Sequence, residues 1–257
     1  MQPRFAIIIP ACDEAEALPQ ILLQLASVLD PQDYVIAVGA NGCRDATAEI
    51  ARAGNVTVGE TEKRGYGYGC QVAIDAVNAV YPALDGYIFF AADGANDPRE
   101  IAKLVATFDE GHDFVLGQRT HLRANRRTMT RSHIFANRVL GFWCGILTGR
   151  FFSDLGPMRL IARPVFERLA LREWTYGWTI EPQILIARLG LPSYEIDVRE
   201  YPRIAGEQKV SQVNWRRTLQ IGGQILAAGW RSRLRTLPQT QPCQTPRFVQ
   251  KDSPNPV

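Results

Sequence analysis

The sequence has few cysteines, no Cys-x-x-Cys pair and no long apolar run. Five cysteines, an odd number in irregular positions, predict neither a disulfide framework nor a zinc site and favour a reducing compartment. The longest apolar stretches, residues 139–149 and 219–230, are shorter than the roughly 20 residues of a spanning helix. The first apolar run stops at Pro10, which is too early for a signal peptide. We therefore predict a cytoplasmic protein without a transmembrane segment.

Lysine is also scarce, with four in 257 residues, so arginine supplies nearly all positive charge. Acidic residues are missing between Phe114 and Ser153, a segment that contains seven arginines. Arginine suits planar, bidentate binding of phosphate, so this block favours an anionic partner. A solvated helix face is the alternative. Because no nucleic-acid-binding module accompanies the arginines, we do not expect a nucleic-acid partner.

Apolar, β-prone runs alternate with segments of helical spacing along the first half of the chain. This order predicts an α/β fold with a mostly parallel, doubly wound sheet, whose ligands bind beyond the carboxyl ends of the strands. We expect one domain over residues 1–235, with a nucleotide half at about 1–118 and an acceptor half at about 119–235. Residues 236–257 are predicted to be a disordered tail. The predicted strands are Phe5–Ile9, Tyr34–Val38, Val56–Val58, Gly86–Phe90, Phe114–Gly117, Met158–Ile161 and Tyr194–Val198.

Seven motifs occur in the order and at the spacing typical of one enzyme family. Residues 7–14 (Ile-Ile-Ile-Pro-Ala-Cys-Asp-Glu), 38–47, 64–67 and 91–98 (Ala-Ala-Asp-Gly-Ala-Asn-Asp-Pro) resemble family 2 glycosyltransferases. Residues 154–159, 176–181 and 203–211 are similar to the branch that contains the dolichyl- and polyprenyl-phosphate sugar synthases. The resemblance spans about residues 5–230 and implies the GT-A (Rossmann-like) fold.

The resemblance implies an inverting transferase that moves a hexose from a UDP- or GDP-sugar to an acceptor. A polyprenyl phosphate is the favoured acceptor, with peripheral contact to the membrane. Two alternatives stay open, a soluble hydroxyl acceptor and a nucleotide-sugar-binding protein with impaired catalysis. The helix around residues 215–230 carries flanking arginines, which is compatible with an anionic membrane surface or with packing against the rest of the domain.

The nucleotide is expected at the first loops of the domain. Asn41 stands where the family usually has an aspartate, and an amide can still donate and accept hydrogen bonds to a base. Asp13 is open to two interpretations. It lies in the loop that would hold the nucleotide, but Asp13 and Glu16 also have the spacing of a helix capping box, in which Asp13 would only cap the helix. The residues predicted to bind the donor are Pro10, Ala11, Glu14, Asn41, Arg64, Gly65, Asp93 and Arg119.

The loop at residues 91–95 matches the family's Asp-x-Asp metal motif only in part. Ala91 replaces the first aspartate and Ala95 replaces a further ligand, so Asp93 is the single predicted metal ligand. Mg²⁺ or Mn²⁺ needs only one or two carboxylates when phosphate oxygens and water complete its shell. We expect a weak metal site, or else a role for Asp93 in forming the loop. Asp97 is predicted to cap the next helix, which begins at Pro98.

Cations and carboxylates of the second half complete the predicted site. Arg119, Arg203 and Lys209 match family positions near the phosphates and would share the diphosphate charge. Asp154 and Glu181 are the candidates for a general base, which a hydroxyl acceptor requires and a phosphate acceptor does not. Asp154 is preferred, with a structural role in the following turn as its alternative.

Overall fold

A computed structural model describes residues 2–129, 131–205 and 215–237. Seven strands form one sheet in the order β3-β2-β1-β4-β6-β5-β7, in which β6 runs antiparallel to both neighbours and the other pairs are parallel. The prediction of a mostly parallel α/β sheet is confirmed. The strands are β1 Phe5–Ala11, β2 Tyr34–Asn41, β3 Thr57–Thr61, β4 Gly86–Phe89, β5 Phe114–Gln118, β6 Arg159–Ala162 and β7 Ser193–Asp197.

Helices cover both faces of the sheet and form two apolar clusters with it. Side chains of β1 alternate between the clusters, because successive residues of a strand point to opposite faces. Helices α1 and α4 lie on one face, and α3, α6 and α7 lie on the other with α5 and α8 packed beside them. The helices are α1 Leu18–Val28, α2 Thr47–Ala53, α3 Tyr66–Val80, α4 Ile101–Asp109, α5 Arg131–Thr148, α6 Arg163–Leu169, α7 Glu181–Arg188 and α8 Trp215–Leu234.

The two predicted halves share this sheet. Strand β6 belongs to the acceptor half but lies between β4 and β5 of the nucleotide half. Helix α8 packs on α5, on α7 and on the short 3-10 helix Tyr176–Thr179, where Ile221 and Ala228 are buried. Of the residues that the structure describes, no helix is long and apolar enough to cross a membrane. Residues 238–257 of the predicted tail lie outside the described residues.

Two helix starts test the predicted caps. Asp97 is confirmed as a cap, because its side chain accepts a hydrogen bond from the Arg99 backbone N–H with Pro98 at the first helical position. The capping box at Asp13 is wrong. Helix α1 begins five residues later, and Asp13 has φ of 53°, in the left-handed region, whereas a cap residue has extended backbone. Its carboxylate instead contacts the Arg44 backbone and the Arg64 side chain.

Candidate active site

The carboxyl ends of parallel strands bring most of the predicted residues to one edge of the sheet. Pro10 and Ala11 end β1, and Asn41 ends β2. Asp93 follows β4, and Arg119 comes directly after β5. Ligands of open α/β folds bind at this edge, so the topology supports the predicted position of the site.

Three of the predicted residues form one ionic cluster. The guanidinium of Arg203 contacts Asp93 through Nη1 at 3.0 Å and both carboxylate oxygens of Glu14 through Nη2 at 3.0 and 3.1 Å. Arg203 is 110 residues from Asp93 and 189 from Glu14 along the chain. Folding therefore unites two loops of the nucleotide half with a segment of the acceptor half.

Backbone hydrogen bonds fix the segment that carries Arg203. The N–H of Ile204 donates to the carbonyl of Asp93 at 2.9 Å, and the N–H of Tyr201 donates to the carbonyl of Ala95 at 2.8 Å. Within the described part of the chain, the buried Nε of Arg203 has no hydrogen-bond acceptor. Since a buried donor is normally paired, this N–H is available to an added acceptor such as a phosphate oxygen.

The loop after β4 fits a metal only as a site with one carboxylate. Asp93 Oδ1 accepts from the Ala95 N–H at 3.0 Å, and its Oδ2 accepts from Arg203. The N–H of Ala91 is held by the side chain of Asn96 at 2.9 Å. Residues 2–129, 131–205 and 215–237 contain no group of three or more histidine, cysteine, aspartate or glutamate side chains that could hold a metal. Ligand phosphates and water would have to supply the other positions.

The predicted nucleotide-binding residues form a closely packed floor. Asn41 is buried, and its Nδ2 donates to the carbonyl of Gly65 at 3.0 Å. A Cβ atom on Gly69 would lie 2.7 Å from Asn41 Oδ1 and 2.8 Å from the Cβ of Pro10. Only glycine at position 69 therefore allows α3 to approach the ends of β1 and β2.

Arg64 lies at the rim of this floor, half exposed. Its Nη2 pairs with Asp13, and its Nε donates to the carbonyl of Gly42 at 2.9 Å. Partial burial acts to raise the pKa of Asp13, but hydrogen bonds from the Arg44 backbone and from Arg64 outweigh it and lower that pKa. Arg64 thus joins three loops of the nucleotide half.

Arg119, predicted near the diphosphate, and Asp154, the preferred candidate for a base, pair with each other in a second cluster. The Asp154 carboxylate accepts from the Arg119 backbone N–H, Nε and Nη2 at 2.9, 2.8 and 3.0 Å. Glu200 contacts Arg119 Nη1 at 3.1 Å. Burial acts to raise the pKa of Asp154, yet Arg119 lowers it overall, which makes this carboxylate a weak base. The guanidinium of Arg119 is buried and engaged with both carboxylates.

The side chain of Glu181 also makes structural contacts. It begins α7, is buried, and accepts hydrogen bonds from the backbone N–H groups of Arg172 and Glu173. Arg235, which follows α8, pairs with it at 3.2 Å. The carboxylate thus joins two segments of the acceptor half, and its role as a general base stays a prediction. Lys209 lies outside the described residues.

Sequence reasoning missed a buried cation under the site. Arg159 has no exposed surface, and it donates to the carbonyls of Thr179 at 2.9 Å and of Gly156. Its guanidinium lies 5.6 Å from the ring centroid of Trp178. Burial lowers the pKa of Arg159 to about 10. The signal was its position as the last residue of the 154–159 motif, where a charged residue begins an otherwise apolar strand.

Glu200 was missed as well. It follows β7 and pairs through its backbone with Asn96 of the metal loop, so it links that loop to Arg119. Burial raises the pKa of Glu200, with the charges of Asp154 and Asp93 adding to the effect and Arg119 opposing it. No periodicity marks such a residue, because the link depends on the contact of two loops.

Comparison with known proteins agrees with this geometry. The sequence model of the family described as Glycosyl transferase family 2 matches residues 6–169, which is more than half of the chain. An uncharacterized glycosyltransferase of Mycobacterium tuberculosis is 27% identical over 206 residues, covering 80% of this chain and 88% of the relative. A dolichyl-phosphate hexose transferase of Haloferax volcanii is 26% identical over 208 residues, covering 80% and 86%.

A solved structure shares the fold. Glucosyl-3-phosphoglycerate synthase from Mycobacterium tuberculosis, in complex with Mn²⁺, uridine-diphosphate-glucose and phosphoglyceric acid, superimposes with a TM-score of 0.62. The match covers 90% of this chain and 80% of the synthase, at 17% identity. At that identity the likeness shows the fold alone, and it confirms the predicted GT-A architecture.

Proposed function

The chain belongs to glycosyltransferase family 2, and from this premise we propose that it transfers a hexose from a UDP- or GDP-sugar to a polyprenyl phosphate with inversion. The observation that carries the proposal is the cluster of Glu14, Asp93 and Arg203 beyond the strand ends. Such a cluster offers both a carboxylate for a cation and a guanidinium for a diphosphate. The sequence relatedness to a dolichyl-phosphate hexose transferase supports the class of acceptor.

The chemistry requires charge stabilisation at the leaving group. An oxygen of the acceptor phosphate attacks the anomeric carbon, the bond from that carbon to the diphosphate breaks, and the nucleoside diphosphate departs with the electron pair. Arg203 would donate hydrogen bonds to this diphosphate, in particular through its Nε, which has no acceptor among the described residues. Donors fixed before the reaction stabilise the developing charge without reorganisation.

A divalent ion would be held by Asp93 together with the diphosphate. When bound, Mg²⁺ or Mn²⁺ supplies neutralisation of the leaving group's charge. Asp93 is oriented for this role by the Ala95 N–H, which occupies one of its two oxygens. The other oxygen accepts a hydrogen bond from Arg203. A nucleotide sugar that binds Arg203 would leave this oxygen of Asp93 to the metal.

The state of Asp154 supports a phosphate acceptor. A hydroxyl must lose its proton to a base, whereas a phosphate monoester is already anionic. Asp154 is fully buried and ion-paired with Arg119, and Glu181 is engaged in backbone hydrogen bonds. A reaction that needs no base is compatible with this arrangement.

The first experiment incubates the protein with labelled UDP- and GDP-sugars and a long-chain polyprenyl phosphate, with Mn²⁺ or with a chelator. We expect label in the lipid phase that depends on one of the two nucleotides. Asp93→Asn should lower the rate by about 100-fold, the lower end of the effect of removing one group that stabilises charge in a transition state. Asp75→Asn, an exposed aspartate on α3, is the matched control and should change nothing.

The same assay tests the two other functions. Label transferred only to a water-soluble hydroxyl compound would replace the lipid-phosphate proposal by the soluble-acceptor alternative. Ala91 and Ala95 leave Asp93 as the single carboxylate of the metal motif, and this loss of two ligands is the feature that favours impaired catalysis. Binding of a nucleotide sugar by calorimetry, without transfer to any acceptor, would identify the protein as a nucleotide-sugar-binding homologue and overturn the enzymatic proposal.

A further inference from the structure

Helix α5 buries one side and exposes a row of large apolar side chains on the other. Asn137, Cys144 and Leu147 face the protein, while Phe135 is 68% exposed and Phe142 is 58% exposed. The exposed residues are spaced four, three and four apart, so they lie on one helix face. Just after the helix, exposed Phe151 packs its ring 5.6 Å from that of Phe142. We call this surface the α5 apolar face; it consists of Phe135, Val139, Phe142, Ile146 and Phe151.

The dimensions of the α5 apolar face suit a surface partner. Phe135 and Ile146 are eleven residues apart, which is about 16 Å along a helix at 1.5 Å per residue. A row of this length cannot cross a bilayer, but it matches an amphipathic helix that lies in the interface plane. Contiguous exposed apolar residues on a soluble surface mark a site of interaction.

Charge selects an anionic bilayer as the partner. No acidic residue occurs from Phe114 through Ser153, and seven arginines do. Arg138 is exposed directly beside Val139 on α5, and Arg123 is exposed in the 3-10 helix before it. Anionic headgroups attract such arginines. Pairing of two α5 faces would instead bring like charges together, so a second copy of this chain fits poorly.

The α5 apolar face starts beside the second ionic cluster. Asn125, in the 3-10 helix before α5, donates to the carbonyl of Arg119 and accepts from the backbone N–H of Glu200. The charges of Arg119 and Asp154 both act on the pKa of His133 in the first turn of α5, which burial lowers. The exposed row therefore begins close to the acceptor side of the candidate site.

We propose that the α5 apolar face inserts into the interfacial region of a bilayer containing anionic lipids. Phe135 and Phe142 enter among the acyl chains while Arg138 contacts headgroup phosphates. The bilayer would then present a lipid-linked phosphate at the side of the site that holds Arg119 and Asp154. This last consequence rests on the proposed function, whereas membrane binding itself does not.

The test measures co-sedimentation of the full chain with vesicles of phosphatidylcholine containing about one third phosphatidylglycerol and no polyprenyl phosphate. The parent protein should bind these vesicles and bind pure phosphatidylcholine at least tenfold less. Phe135→Glu combined with Phe142→Glu should lower binding at least tenfold. Arg138→Gln should weaken binding to the anionic vesicles alone. Thermal unfolding checks that every variant is folded.

Leu23→Glu is the matched control. Leu23 is 73% exposed on α1, which lies on the opposite face of the sheet, so this variant should bind vesicles like the parent. Failure of the parent to bind, or equal loss in Leu23→Glu, would overturn the proposal. Sedimentation velocity adds a further test, because a dimer that the double variant converts to a monomer, without vesicle binding, would assign the face to self-association.

A second assay separates this inference from the proposed function. With a short-chain, water-soluble prenyl phosphate, the double variant should keep the parental rate; with a long-chain acceptor embedded in vesicles, it should lose at least tenfold. Vesicle binding without transfer to either acceptor would retain the docking surface and reject the function. Transfer to both acceptors at parental rates by the double variant would reject the docking surface and retain the function.

Discussion

Replacement of Asp154 by asparagine tests whether the Arg119 ion pair is a structural element. Asp154 has no exposed surface and accepts three hydrogen bonds from Arg119. Asparagine keeps one carbonyl oxygen, and it turns an amide donor toward a guanidinium that can only donate. Of its two charged partners within the described residues, Arg119 would retain Glu200.

The size of the expected loss in unfolding free energy follows from the burial of this ion pair. Removing one partner of a buried ion pair costs about 3–5 kcal/mol, because the remaining charge stays buried. In a domain of this size each kcal/mol lowers Tm by roughly 2–4 °C, so the expected fall in Tm is on the order of 6–20 °C. The pKa of Asp154 is lowered, so its stabilisation is present above the unfolded pKa of roughly 4 and is lost as pH falls through the folded value. Asparagine should flatten this acid dependence.

The assay is thermal and urea unfolding of the parent, of Asp154→Asn and of Glu167→Gln, from pH 7 to pH 3. Glu167 pairs with Arg163 on the surface of α6 at 2.8 Å, and loss of an exposed pair should cost about 0–1 kcal/mol. Equal Tm for Asp154→Asn and the parent would refute the structural role. Activity of the variant must be compared at a temperature where it is folded; a loss of rate there, without loss of stability, would restore Asp154 as a base.

Three further changes have defined expectations. Gly67→Ala places a Cβ 2.6 Å from the Trp178 ring and should lower the free energy of unfolding in urea by about 1–3 kcal/mol. Its control is Gly222→Ala in α8, where a Cβ meets nothing within 4 Å. This variant should leave the free energy of unfolding unchanged or raise it by up to about 1 kcal/mol. Asp97→Ala removes a side-chain cap and should cost about 0.5–2 kcal/mol by the same measurement. Arg159→Lys can reach only one of two carbonyls and should cost about 1.5–3 kcal/mol; unchanged unfolding curves would contradict each assignment.

The local sequence pattern was sufficient to predict the strands of the sheet. Phe5–Ile9 and Tyr34–Val38 are continuous β-prone runs bounded by turn residues, and both lie in central strands. Pattern could not reveal that β6 runs antiparallel between β4 and β5, because strand order depends on how the second half returns to the sheet. The capping-box spacing at Asp13 was misleading, because its carboxylate contacts two arginines distant in sequence instead of capping α1.

Side-chain partnership across the two halves explains what sequence reasoning missed in the site. Arg203 was predicted beside the phosphates, and the structure places it between Glu14 and Asp93. Arg119 was predicted near the diphosphate because its motif is read locally, and its partners Asp154 and Glu200 lie 35 and 81 residues away. Ionic partners at such separations leave no periodic trace in a single sequence.

The incomplete metal motif is consistent with the charge balance of the first cluster. Glu14 and Asp93 carry two negative charges, and Arg203 neutralises one of them. An aspartate in place of Ala91 would add another negative charge beside a doubly charged diphosphate, which only a tightly bound metal could offset. With alanine there, repulsion of the donor is smaller and Arg203 can take a larger share of the diphosphate charge. Under the proposed function, the weak motif would shift stabilisation of the leaving group from the metal toward a fixed guanidinium, which makes Arg203 as important to test as Asp93.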